Sequence, residues 1–61
     1  MQNEIFKYFG GKAKLAKELM VSRSCVSQWV KRGIPAVRAM EIEELSCGTF
    51  KAVEIMTRWL D

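Results

Sequence analysis

The sequence predicts an all-α fold, a small five-helix domain organised around a helix-turn-helix. Three observations carry this. In residues 15–31, LAKELMVSRSCVSQWVK, Leu15 and Leu19 are spaced four apart and Val26 and Trp29 three apart, so two short helices each have one apolar side. Between them lies the turn Met20-Val21-Ser22, where Val21 can plug the angle made by two steeply crossing helices and small Ala16 lets the second approach the first. Finally, Gly10-Gly11, Gly33, Pro35 and Gly48 cut the rest of the chain into helix-length pieces. With 61 residues, 49% of them hydrophobic, the chain has the apolar content for one folded domain spanning 1–61 and a modest core.

Taken in order, residues 3–9 form a first helix, with Asn3 placed to cap it and Ile5, Phe6 and Phe9 as its apolar face. Gly10-Gly11 ends it, because glycine accepts the left-handed conformation of a helix C-cap. Residues 12–19 form the second helix, with Lys12, Lys14 and Lys17 outward. Residues 22 to 31 or 32 form the third, with Ser22 as N-cap and Gly33 as the stop. Pro35 starts a fourth helix, running to Gly48. Its inward positions are expected at Val37, Met40 or Ala39, Ile42 and Leu45, with Glu41, Glu43 and Glu44 in water. Residues 49–61 are expected as a fifth helix, capped by Thr49, with Phe50, Val53, Met56 and Leu60 at helical spacing. A β-strand is the alternative there, since Phe50, Ala52, Glu54 and Met56 also alternate and Val53, Ile55 and Thr57 are β-branched. The segment has more apolar residues than so small a core needs. Ile55, Met56, Trp59 and Leu60 are therefore candidates either for a dimer contact or for closing the domain's own core.

The chemistry lies on the third helix. Arg23, Ser24, Ser27, Gln28 and Lys31 face away from Val26 and Trp29, and there is no acid among them. Such a face suits a DNA major groove: arginine can bridge guanine O6 and N7, glutamine can bridge adenine N6 and N7, and serine serves several base edges. Any amphipathic helix has a polar outer side, so the weight rests on the basic, acid-free character of this one. Lys12 and Lys14 put cations in the first turn of the second helix, against its dipole. That suits a bound phosphate, although two exposed lysines cost little on any surface. Residues 1–38 hold eight bases against two acids, a balance of +6, and residues 39–61 hold two bases against five acids, a balance of −3. This is the distribution of a polyanion-binding face with a separate back.

Other classes fit poorly. The longest apolar runs are too short for a membrane span, and the N-terminus lacks a basic-then-apolar signal pattern. There is no His, and Cys25 and Cys47 lack metal-ligand spacing and form no disulfide framework. Free, fairly buried thiols in a reducing cytoplasm, and no cofactor or metal, are the expectation. No nucleophile has a base beside it, so an enzyme is not expected. A small helical protein-interaction or antitoxin-like regulatory module, using the apolar C-terminal segment and the acidic face from Glu41 to Glu44, is the alternative to DNA binding.

Residues 9–44 carry a more specific pattern: FG, A-K-x-L, V-S, V-S-Q-W, I-P and R-x-x-E-I-E. In this the chain resembles the Cro repressors of lambdoid bacteriophages and the Cro-like regulators of bacterial prophages, and VSQW and IP are closer to their helical branch. The resemblance implies a dimeric helix-turn-helix repressor in the cytoplasm of a bacterial host, binding a short palindromic operator on double-stranded DNA, with no small-molecule ligand. Carried over by position, Ser22, Arg23, Ser24, Ser27 and Gln28 would read bases, Lys31 would lie near base or phosphate, and Lys12 and Lys14 near the backbone. The chain departs from the family at the turn, where the usual glycine is Met20. That position often requires positive φ, which costs a non-glycine residue about 1 kcal/mol.

Overall fold

Helix ends are set by how their unpaired backbone groups are satisfied, and the order of elements follows from these stops. The computed structural model describes residues 1–60. It contains α1 (Gln2–Phe9), α2 (Lys12–Leu19), α3 (Arg23–Arg32), α4 (Ala36–Leu45) and α5 (Ala52–Arg58), and no strand among the described residues. Asp61, expected in the last helix, lies outside them.

α1 starts one residue before the expected boundary. Met1 is the N-cap and no side chain caps the helix, so Asn3 does not have the capping role its position suggested. Gly10 ends α1 in the left-handed region at φ 92°, where its N–H reaches Lys7 O (3.3 Å) and the N–H of Gly11 reaches Phe6 O (2.7 Å). A side chain at Gly10 would also meet the Lys14 stem, with Cβ 2.9 Å from Cδ.

α2 closes in the same way at Met20. Its N–H donates to Lys17 O at 3.1 Å and that of Val21 to Ala16 O at 2.9 Å. Met20 adopts φ 60°, ψ 40°, so the turn keeps the left-handed geometry and a methionine carries its strain. α3 begins with Ser22 in extended conformation, its hydroxyl oxygen accepting from Cys25 N–H at 3.3 Å.

α4 turns a different face inward from the one expected. Ala39 and Ile42 are fully buried, while Val37 and Met40 are 63% and 62% exposed and Leu45 is also exposed. Apolar residues surround this helix, so spacing selects no face; α4 rests on α2 with small Ala39 among the buried positions. The helix ends at Leu45 rather than Gly48. Cys47, at φ 53°, and Gly48 donate to Glu44 O and Glu43 O in the turn that follows, and Cys47 is exposed rather than buried.

α5 is a helix because Ile55 and Trp59, four apart, are the residues that pack. They are 0% and 1% exposed, whereas Val53, Met56 and Leu60 face solvent. Ile55 and Trp59 thus belong to the core, and the series expected to face inward is mostly outside. Thr49 does not cap this helix. Lys51 is the N-cap, and the carboxylate of Glu43 accepts from Ala52 N–H at 2.7 Å. Glu43 is accordingly partly buried instead of lying free in water: an anion at a helix N-terminus both pairs an orphan N–H and complements the dipole.

The core gathers Ile5 and Phe6 from α1, Leu15, Ala16 and Leu19 from α2, Val26 and Trp29 from α3, Ala39 and Ile42 from α4, and Ile55 with Trp59. α2 packs on α1, α3 and α4, and α4 packs on α5. The one buried polar side chain among the described residues, Ser46, is satisfied by donating to Glu43 O (3.1 Å) and accepting from Phe50 N–H (3.2 Å).

Candidate nucleic-acid interface

Burial of Val26 and Trp29 fixes the rotation of α3, and the opposite face follows from geometry alone. At about 100° per residue, Arg23, Ser24, Ser27, Gln28 and Lys31 fall within roughly 140° of arc. All five are exposed, as are Ser22 at the cap and Lys12 and Lys14 on α2. The structure therefore brings every residue singled out on α3 onto one open surface. Ser22 spends a lone pair on Cys25 N–H, but its own O–H remains available to donate.

The electrostatics are one-sided. Along α2 and α3 the sole acid is Glu18, near the C-terminal end of α2. The ion pairs among the described residues are Met1 amino group–Glu4 (3.4 Å) and Arg38–Glu41 (2.8 Å). No Lys or Arg between residues 12 and 32 is in an ion pair with a described residue, so their charges are free to meet an external anion. Lys12 Nζ sits 5.5 Å from the centroid of the Phe6 ring, which holds a cation at the start of α2 by its attraction to the ring face.

Two side chains whose part here local sequence reasoning did not foresee hold the far end of α3. Gln2 donates from Nε2 to Val30 O at 3.1 Å, and Trp59 donates from Nε1 to Trp29 O at 2.6 Å. Trp29 O also accepts from Gly33 N–H at 2.9 Å. The last carbonyls of a helix lack intrahelical partners. Here they are met by donors from α1 and from beside α5, which clamp the end of α3 from both sides. Their separations of 28 and 30 residues put them beyond any local pattern; the available signal was two polar donors at the chain's ends. Trp59 is further fixed by an edge-to-face contact with Phe6, centroids 5.8 Å apart.

A helix about 15 Å long, exposed along one face and anchored at both ends, can enter a groove as a rigid body. No group of three or more His, Cys, Asp or Glu side chains among the described residues is placed to hold a metal ion, and none of their helices is long and apolar enough to cross a membrane. A family model described as DNA-binding transcriptional regulator Cro matches residues 1–59. No curated protein and no solved structure matches the chain at a significant level.

Proposed function

The chain belongs to this family of Cro-type DNA-binding transcriptional regulators, and from that premise we propose that it represses transcription as a homodimer occupying a palindromic operator. The observation that carries the proposal is the exposed, acid-free face of α3 with its unpaired cations. In this reading α3 is the recognition helix. Arg23, Ser24, Ser27 and Gln28 meet base edges, Ser22 and Lys31 lie at the two ends of the contact, and Lys12 and Lys14 meet phosphates at the start of α2. Each copy reads one half-site, with the two centres about 34 Å apart. Repression follows from occupancy: a bound dimer excludes polymerase from the DNA it covers.

The exposed stripe Val53, Met56 and Leu60, spaced three and four apart on and just beyond α5, supports the dimer. A two-fold axis could pair this stripe with itself, since such an interface uses the same patch on both copies.

The test is base preference. Gln28→Ala costs roughly 1–3 kcal/mol on the preferred operator and relaxes the preference at one base pair. An unchanged ranking of operator variants, measured by competition binding, would remove Gln28 from the base-reading set.

A further inference from the structure

Met20 occupies the turn at φ 60°, ψ 40°, a conformation glycine adopts without strain and other residues do not. Its side chain is nonetheless 91% exposed and is not part of the core. The hydrogen bonds that close α2 impose this conformation, and the thioether, unused by the domain's own packing, is free for a contact outside the fold.

Beside Met20 a groove of about 280 Å³ opens between the C-terminal end of α2 and the later turns of α4. Leu19, Met20 and Leu45 supply its apolar surface, and Glu18, Glu41 and Glu44 its carboxylates. Arg38 binds Glu41 at 2.8 Å, whereas Glu18 and Glu44 have no cationic partner among the described residues.

We propose that this groove is a protein-docking surface whose occupant is a cationic amphipathic helix of another protein. Apolar side chains of that helix enter beside Met20 and Leu45, and its flanking Lys or Arg meet Glu18 and Glu44. A flexible, polarisable methionine suits such a contact, and a helix laid in an apolar groove is a recurring mode of recognition. The carboxylates repel phosphate, so the groove is not an extension of the DNA surface. A second copy fits poorly as occupant: the chain's own cationic helices, α2 and α3, have their apolar sides buried in the core, and α5, whose apolar stripe is exposed, balances Arg58 with Glu54. This surface goes beyond the proposed operator binding and does not depend on it.

The test pans a phage-displayed random-peptide library on the intact protein. Enriched peptides are then measured by fluorescence anisotropy against wild type, Met20→Gly and the double variant Glu18→Lys, Glu44→Lys. The expected peptides carry Lys or Arg beside apolar residues at helical spacing. Met20→Gly weakens them about tenfold or more while its thermal midpoint holds or rises, because glycine suits the turn. Loss of binding is then not loss of fold. The charge reversal weakens the same peptides and flattens their salt dependence. The proposal is overturned if no peptide is enriched, if the enriched peptides are not cationic, or if they bind Met20→Gly as tightly as wild type. A lower thermal midpoint in Met20→Gly would return the side chain to a structural role. A changed sedimentation mass would make the groove a contact between copies.

Discussion

At the scale of single residues, the side chains proposed to face DNA divide into those that would read bases and those that would hold phosphate. Gln28 has a planar amide suited to a bidentate contact with adenine, while Lys12 offers a compact charge suited to phosphate. Their variants should differ in kind. Lys12→Ala weakens binding to all duplexes about equally and reduces the slope of log affinity against log salt by about one, where Gln28→Ala acts on one base pair. A titration series in salt on matched and mismatched duplexes checks both. Lys12→Ala also gives up the contact with the Phe6 ring, worth about 0.5–1 kcal/mol at an exposed site, so its thermal midpoint should drop slightly. The residues on α3 were legible in the sequence because a cap, Ser22, and two apolar anchors, Val26 and Trp29, define the rotation of a ten-residue helix. The strain at Met20 was legible only through the family resemblance, which places a glycine at this turn; the hydrogen bonds that close α2 show why the position is left-handed whatever its side chain.

At the scale of elements, what sets the site is the anchoring of α3. Its start is fixed by Ser22 and its end by Gln2, Trp59 and Gly33. Trp59→Phe keeps an aromatic ring but removes the donor to Trp29 O. Because Gly33 N–H still serves that carbonyl, the lost hydrogen bond costs about 0.5–1.5 kcal/mol, with a further cost for the smaller ring. Thermal melting gives the stability, and circular dichroism at the assay temperature gives the folded fraction. With that fraction accounted for, specific binding should still fall more than non-specific binding, since only the former depends on how α3 is aimed. Equal losses on both kinds of DNA would make Trp59 a packing residue alone. α4 and α5 were the elements whose faces the sequence obscured. On α4 the apolar residues Val37, Ala39, Met40, Ile42 and Leu45 lie all round the helix, and only contact with α2 and α5 selects Ala39 and Ile42. On α5 two apolar series compete. The pair Ile55 and Trp59 wins because it fills the core and because the Trp59 N–H finds a carbonyl 30 residues away. Glu43 was misplaced for a related reason: its partner is a backbone N–H of the following helix, and no periodicity marks a carboxylate that caps a neighbour.

For the whole molecule, size constrains the mechanism. The described chain measures 23 × 23 × 19 Å, less than the roughly 34 Å between successive major-groove half-sites. One copy would therefore reach one half-site, and the proposed palindromic recognition would require a second copy. The stripe Val53, Met56 and Leu60 is small beside the roughly 800 Å² per partner of a standard interface. In the proposed reading, a dimer built on it is weak in solution and its two copies assemble largely on DNA. Met56→Glu places a charge in the stripe without touching the core. It should leave the thermal midpoint nearly unchanged and abolish cooperative operator binding, read as a loss of steepness in the binding isotherm and of the two-copy complex in sedimentation with operator DNA. Persistence of both would move the dimer contact elsewhere on the surface. The charge division of the sequence also has its structural counterpart at this scale. Unpaired cations line α2 and α3, while Glu18, Glu41 and Glu44 gather at a groove between α2 and α4, which separates the proposed DNA surface from an acidic one.

The most direct measurement is selection from a pool of random duplex DNA, followed by the salt dependence of binding to whatever is enriched. A regulator that reads DNA with α3 as a dimer should enrich a short palindrome, with half-site centres one helical turn apart and an affinity that falls steeply with salt. Retention without an enriched sequence would contradict base reading by Arg23, Ser24, Ser27 and Gln28 and leave a basic surface that holds any duplex. No retention at all would contradict the assignment of α3 to DNA.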